Sequence, residues 1–555
     1  GDAALWRPFH VQAGQQLAVG RLRSGCRAYV AVRGGFDVPA FLGSRSTFAL
    51  ARMGGHCGRT LVRGDILHVG GQEGEEVWTP VPAARPVPRV PLYDPPCWDI
   101  AVMVGPHAAP DFVTRGFMDT LFASVWTVHY NSNRMGVRLV GPAPEWSRED
   151  GGEAGLHPSN IHDTEYAIGS VNFTGDYPVI LTQDGPSLGG FVCPITIVEA
   201  ELWKVGQLRP GSKIRFHAVG MTAALALRAA ADSHIASFGD AGCSTPGPAP
   251  AGALPVAAPP SRQEAVLSVF AGGDERPRVV YRQAGDRNLL VEFGDGTLDL
   301  ADRMRAHALM NAVARVGIKG VGELSPGVRS VQVQFEPRVV GPGELVDRLQ
   351  ALESEIGDAS TLTVKSRVWH LPMCFEDPAV ETAVGRYRES VRPSAPWLPS
   401  NTEFIRRMNG LASTDDVREI VFRASYLVLG LGDVYLGAPC AVPVDPRHRL
   451  VTSKYNPARS YTAEGTVGIG GVYMCIYGMD SPGGYQLVGR TLPVWSAARR
   501  NPHFRRGAPW LLDFFDQVRF YPVGADELRR LRREFEEGSL RVRVEEEAFS
   551  VQKHR

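Results

Sequence analysis

The sequence predicts a mainly β protein with α+β subdomains, and three observations carry that expectation. Short apolar runs separated by Gly and Pro at turn spacing fill most of the first 240 residues. An uncharged run rich in Pro, Ala and Gly, AGCSTPGPAPAGALPVAAPPS at 241–261, then divides the chain as an extended linker would. Beyond it, strand-like runs alternate with amphipathic helical ones ahead of a second glycine-dense β stretch. A chain of 555 residues is also too long for one core.

Taken in order, 27–33, 126–129, 179–182 and 213–219 read as strands ended by turn residues, and RPVPRVPLYDPP (85–96) is a shorter break. After the linker, 288–293 reads as a strand, 300–316 as an amphipathic helix and 330–335 as a strand. A second helix at 345–356 places Val346, Leu349, Leu352 and Ile356 on one face. A strand over 361–371 closes this small α/β sandwich. Helices at 400–409 and 414–425 follow, then glycine-rich β structure, and a charged helix at 525–537 ends the pattern. The expected units are 1–90 and 91–240 (both β), 241–262 (linker), 263–371 (α/β), 372–525 (β) and 526–555 (helix and tail). Glycine pairs recur in both β halves, at 187–190 and 482–484. That echo suggests two related barrels with a ligand-binding cleft between them.

Composition excludes several classes of partner. Lys plus Arg equals Asp plus Glu, 59 of each, so no global field favours nucleic acid or an anionic membrane. Lysine is scarce (Lys204, Lys213, Lys319, Lys365, Lys454 and Lys553), which makes an interior lysine informative. The eight cysteines are far apart, without CxxC or a Cys/His cluster, which favours reduced cytoplasmic thiols over disulfides or zinc. No apolar run reaches the roughly 18 residues of a membrane span, and no signal peptide is evident. The opening GDAALWRPFHV lacks a methionine, as a piece of a longer polypeptide would. GxxxxGK(S/T), a helix-opening GxGxxG and GxSxG are missing, so no nucleotide is expected.

Candidate functional residues fall in four stretches. The richest is 464–490, EGTVGIGGVYMCIYGMDSPGGYQLVGR, where eight glycines surround Tyr473, Tyr477 and Tyr485. Such glycines admit backbone or ligand where a Cβ would clash, and tyrosines add stacking faces with hydroxyl tips. A ligand-contacting sheet edge and a glycine-rich core both fit. In 126–141, Asn131, Asn133 and Arg134 could grip a small planar ligand or could cap their own turn. In 181–191, Gln183 and Asp184 suit the N–H and oxygen of a urea-like group, and Ser187 precedes a Gly-Gly pair that could face an oxyanion. A tight turn capped by Asp is the alternative there. Within 159–163, His162 has no spaced partner for a metal, which favours a hydrogen-bonded histidine. Asp433 and Tyr435 (GLGDVYL, 430–436) join Lys454 and Tyr455 (LVTSKYNPAR, 450–459). Lys454 could hold a carboxylate or serve proton transfer, or merely bury its stem.

These motifs converge on one resemblance. GGFDVPAFLGSRST (34–47), GP (105–106), SNRMGVRLVGP (132–142), PVILTQDGPSLGGF (178–191) and LRPGSKIRF (208–216) resemble the type-2 module of the allophanate-hydrolase-subunit type. GDRNLLVEFGD (285–295), the 426–436 segment, VGIGG (467–471) and SPGGYQLVGRT (481–491) resemble the type-1 module. Fused in this order and followed by PWLLDFFDQVRFYPV (509–523), they resemble the carboxyltransferase region of urea carboxylase, including that of fungal urea amidolyase.

The resemblance implies two cyclophilin-like β-barrel modules. It implies transfer of a carboxyl group from carboxybiotin to a urea nitrogen, giving allophanate. Biotin, on a separate carrier, is then the one cofactor, without metal or nucleotide; biotin carrier and biotin carboxylase domains are the partners, in cis or in trans. Asn131, Asn133, Gln183 and Asp184 would hold urea. Arg134, Lys454, Tyr455 and the N–H groups near Gly470 and Gly471 would steady negative charge and shield CO2. Tyr473, Tyr477 and Tyr485 would stack on biotin, with His162, Ser187, Asp433 and Tyr435 in the same substrate or biotin site. A guanidine carboxylase component, a 5-oxoprolinase-type pair and a regulatory binding module are the alternatives. Module order and the 509–523 string favour the carboxylase, and two asparagines lean towards urea.

Overall fold

The computed structural model describes residues 8–23, 25–70, 95–237, 264–273, 276–432, 435–504 and 507–554. The 241–262 linker, most of the 85–96 break and Asp433 lie outside the described residues. Within 8–70, regular pairing is confined to a short hairpin, β1 (Thr47–Phe48) with β2 (Met53–Gly54), and isolated bridges. The strand expected over 27–33 is not formed. Tyr29 and Val30 are exposed and no neighbouring strand among the described residues takes up their backbone groups, so alternation alone does not make a strand there.

Strands that each bury an apolar face close into a barrel in the first half. They are β3 (Trp98–Val104), β4 (Trp126–Val128), β5 (Gly136–Val140), β7 (Ser170–Thr174), β8 (Tyr177–Leu181), β10 (Ile195–Ile197) and β11 (Lys213–Ala218). Their order is β10-β3-β11-β4-β5-β8-β7, closed by β7 on β10. Ile100, Val102, Phe173, Ile180, Ile195 and Ile214 fill the interior, each with essentially no exposure. A separate ribbon, β6 (Asn160–Glu165) with β9 (Leu188–Phe191), stands apart from the barrel sheet.

The middle unit is the expected α/β sandwich. Its sheet runs β12 (Val266–Phe270), β13 (Val279–Gln283), β14 (Asn288–Phe293), β16 (Ser330–Phe335), β15 (Val321–Pro326). Helices Leu300–Val316 and Pro342–Ser354 pack on it through Leu309, Val313, Val346 and Leu349, with Leu352 and Ile356 at the margin. Asp299 caps the first helix by accepting from the Ala301 N–H at 2.8 Å.

The second half repeats the first. Strands β17 (Thr363–Phe375), β18 (Tyr426–Leu431), β19 (Pro439–Pro443), β21 (Thr466–Gly470), β22 (Tyr473–Ile476), β24 (Gln486–Arg490) and β25 (Gln517–Pro522) lie in the order β24-β17-β25-β18-β19-β22-β21, and β21 pairs with β24 to close the ring. Strand for strand, this is the first barrel's order. Both rings have one parallel pairing, β3 with β11 and β17 with β25. Both carry a separate ribbon, here β20 (Arg459–Thr462) with β23 (Ser481–Gly483). The glycine echo at 187–190 and 482–484 therefore marks equivalent ribbons.

Two elements differ from the sequence pattern. The strand expected to finish the small subdomain at 361–371 instead runs from Thr363 to Phe375 and belongs to the second barrel, because its apolar VWHLPMCF half is buried between neighbours on both sides. The chain also does not end in its charged helix: β26 (Val544–Ser550) adds to β17 antiparallel. Three consecutive glutamates hid that strand, since charge depresses the strand signal at a solvent-facing edge. Among the described residues no helix is long and apolar enough to cross a membrane.

Candidate active site

The two ribbons bring the barrels together, and a buried polar cluster lies where they meet. Lys454 precedes β20 and reaches into the first module, where its Nζ lies 3.6 Å from Asp163 Oδ1 on β6. The two side chains are 4% and 0% exposed, so this is a charge pair inside the protein. The Lys454 ammonium also sits over two aromatic faces, 4.9 Å from the Phe191 ring centre and 5.3 Å from that of Tyr485. The Tyr485 hydroxyl donates to Asp163 Oδ2 at 3.2 Å. Glycine makes the approach possible: a Cβ on Gly190 would fall 2.3 Å from Asp163 Oδ1 and 2.6 Å from Lys454 Nζ.

A second layer surrounds the pair. His162 Nε2 lies 2.9 Å from the Gly296 carbonyl and Nδ1 lies 2.5 Å from the Tyr473 hydroxyl. A carbonyl can only accept, so Nε2 carries the proton and Nδ1 accepts from Tyr473. Burial, with a contribution from Arg329, lowers the His162 pKa to about 4, which keeps the ring neutral. Burial also pushes the Tyr473 phenol well up, so it stays a donor. Glu153 is buried too. It accepts from the Val472 N–H at 3.3 Å, and its Oε1 lies 4.0 Å from His162 Nδ1. Burial raises its pKa to about 8 against the pull of Lys454, and Asp163 adds to the rise. Asp163 Oδ1, Glu153 Oε2 and Asn160 Oδ1 are buried with no hydrogen-bond partner among the described residues. Buried polar atoms without partners mark a site built for more than its own packing.

Two residues beyond Asp163, Glu165 fastens the cluster to the middle unit, accepting from Ser330 Oγ at 2.6 Å, Thr164 Oγ1 at 2.9 Å and Gln332 N at 2.9 Å. The Val328 N–H donates to the Asp163 carbonyl at 2.9 Å. At the other end of β9, Ser187 opens onto a cavity of about 910 Å³ whose walls include His307, Lys365, Gly432, Trp510 and Phe515. Three residues of extended chain separate Ser187 from Gly190, about 10 Å.

The expected residues thus separate into groups. Lys454, Tyr485, Tyr473 and His162 meet in the buried cluster, and Ser187 lines the neighbouring cavity. Asn131, Asn133 and Gln183 are exposed and do not line that cavity. Asn133 Oδ1 accepts from the Met135 N–H at 2.8 Å, the geometry of a self-capping turn. Arg134 donates to Asp184 at 2.8 Å. Tyr455 and Tyr477 bond other partners: the Tyr455 hydroxyl bonds Asn401, and that of Tyr477, which shares its apolar cluster with Tyr473 and Tyr485, accepts from Arg459 at 3.1 Å. Tyr435 adopts φ of 74°, a left-handed conformation uncommon for tyrosine, within electrostatic reach of Arg138. The sequence reading missed Glu153 outright and passed over Asp163, which it covered only within the 159–163 segment.

Family models describe both halves, "Carboxyltransferase domain, subdomain A and B" over residues 1–218 and "Carboxyltransferase domain, subdomain C and D" over residues 279–505. The chain belongs to the carboxyltransferase domain family. Its A/B part supplies β6 and β9, and its C/D part supplies Lys454 and Tyr485. The carboxyltransferase chain is 48% identical over 550 residues to a urea amidolyase of Lachancea kluyveri, covering 98% of this chain and 30% of that protein. Against the crystal structure of the Kluyveromyces lactis urea carboxylase the TM-score is 0.89 at 46% identity, covering 97% of this chain and 47% of the other. The chain therefore spans less than half the length of these relatives. A 5-oxoprolinase component of Haemophilus influenzae is 30% identical over 226 residues, covering 40% of this chain and 66% of that protein. Both barrels fit the cyclophilin-like fold that the resemblance implies.

Proposed function

We propose that this chain is the carboxyltransferase component of a biotin-dependent urea carboxylase, moving a carboxyl group from carboxybiotin to a urea nitrogen to give allophanate. The carrying observation is the buried Lys454–Asp163–Tyr485 cluster, shared between the modules of a carboxyltransferase chain. The residues suit a carrier-borne biotin. The cavity at Ser187 lies within the size range of small-molecule sites, and Asn160 and Asp163, whose buried Oδ1 atoms accept no hydrogen bond among the described residues, lie on β6, the strand paired with β9. Bound carboxybiotin would supply the carboxyl group, and its ring nitrogen would take up the proton that the urea nitrogen gives up.

The chain's own residues do the rest. Lys454 offers a desolvated positive charge where negative charge develops, and Asp163 and Tyr485 fix its position. The Phe191 and Tyr485 rings cover the ammonium and keep water out, which protects CO2 from hydration. His162, neutral and held at both nitrogens, orients the Tyr473 hydroxyl. The charge pattern favours urea over guanidinium. A cation wants an unclaimed carboxylate, yet Asp163 is paired with Lys454, Asp184 with Arg134, and burial raises the Glu153 pKa to about 8 and keeps its carboxyl neutral. Biotin carboxylase and carrier domains are partners in this reading, and a cytoplasmic setting goes with it.

The test supplies a carboxylated biotin carrier and follows allophanate formation. Urea is expected to drive loss of the carboxyl group far better than guanidine, and Lys454→Met to slow transfer by about 100-fold or more. Carboxyl loss at the same rate with neither acceptor present sinks the reading.

A further inference from the structure

The doubled fold supplies an internal comparison for Glu153. In the turn between β21 and β22, Gly471 has φ of 62°, and a Cβ there would fall 2.3 Å from Glu153 Oε1. In the equivalent turn between β7 and β8, Gly175 has φ of 65°, and a Cβ there would fall 2.8 Å from Asn456 Nδ2. Glu153 precedes β6, and Asn456 precedes β20, the equivalent strand. Each module thus sends one side chain across the interface onto the other's hairpin glycine. On one side an uncharged amide suffices. The structural task at the mirrored crossing therefore needs no charge, and the carboxyl of Glu153 has another use.

Its surroundings say what that use is. Lys454 and Asp163 face it from the β20 approach and from β6, Arg148 from its own approach, and His162 and Tyr473 complete the ring. The Lys454–Asp163 pair is already balanced, so an ionised Glu153 would add a negative charge that only Arg148, too far for an ion pair, offsets in a desolvated site. That charge would draw Lys454 from Asp163 and oppose an anionic carboxyl group.

We propose that Glu153 is a positioning residue that keeps a proton while the site works, and that ionising it disables the site by unbalancing the Lys454–Asp163 pair. This rests on the carboxyltransferase reading above, and burial raising the Glu153 pKa to about 8 agrees with it.

The experiment has two arms. In the first, urea-dependent transfer from a carboxylated carrier is compared at about pH 7 and about pH 9, in the wild-type chain and in Glu153→Gln. One group with a midpoint near 8 costs the wild type about tenfold across that interval, and the glutamine variant loses this fall. A purely structural role would lower both rates and leave their ratio alone; an unchanged ratio overturns the proposal. In the second arm, infrared spectroscopy of the chain without substrate follows protonated carboxyl groups. A band that fades between those pH values in the wild type, is absent in Glu153→Gln and titrates with a displaced midpoint in Glu153→Asp supports it. A band unaffected by both substitutions overturns it. Should the band behave as stated while no urea-dependent transfer occurs, the proton assignment stands and the carboxyltransferase reading falls.

Discussion

Lys454 ends between Asp163 and two aromatic rings, and neither charge of that pair reaches water. Removing one partner leaves the other buried and uncompensated. Lys454→Met is therefore expected to cost about 3–5 kcal/mol, and the double variant Lys454→Met, Asp163→Asn to recover most of it. Denaturant titration reads both values; a double variant no more stable than the single one would refute the coupling. Neither variant should transfer carboxyl groups. At this scale the sequence was informative where chemistry is rare: one lysine among six, and tyrosines set among glycines. It was uninformative for Asp163 and Glu153, whose burial comes from partners more than 300 residues away. Asn133 shows a different ambiguity. A polar turn that caps itself and a polar loop that binds a ligand have the same composition, and the 2.8 Å bond from the Met135 N–H uses only one end of the amide.

Among elements, the crossing ribbons depend on glycines that other glycines do not resemble. Gly471→Ala places a Cβ on Glu153 at a positive φ, so a loss of about 1–3 kcal/mol and of transfer activity is expected. Gly385 lies in the helix Pro378–Ser390, where an added methyl group would meet nothing within 4 Å, so Gly385→Ala should stabilise by about 0.5–1 kcal/mol. Thermal melts decide both, and equal signs would refute the distinction. Helices were the most legible elements: Leu300–Val316 and Ala525–Glu537 form with the bounds their periodicity gives. Strands were legible where apolar, as at Asn288–Phe293, and not where pairing alone made them, as at β26.

The molecule as a whole stores proton binding in its fold. Glu153 has a folded pKa of about 8 against 4.5 for the ordinary group, so its share of stability is complete below about 4.5 and is lost as pH rises towards 8. His162, lowered from 6.5 to about 4, has the reverse dependence: its share is complete above 6.5 and is lost as pH falls. Between about 6.5 and 8, Glu153 alone of the two changes, with a slope of at most about 1.4 kcal/mol per pH unit. Melting temperature should decline across that window in the wild type and decline less in Glu153→Gln; parallel curves would contradict the assignment. The paired barrels were visible in the sequence as a glycine echo and a family likeness. Their strand-for-strand equivalence was not, because β order is set by pairings between segments far apart in the chain.

That equivalence has an evolutionary reading. A symmetric dimer of one barrel must build every interface contact twice, and any change in its gene alters both copies at once. Two barrels joined in one polypeptide escape that constraint. One crossing is free to carry an acid while its counterpart carries an amide, as Glu153 and Asn456 do. Tandem duplication thus turns a surface that symmetry would have made uniform into one with a chemically distinct working side.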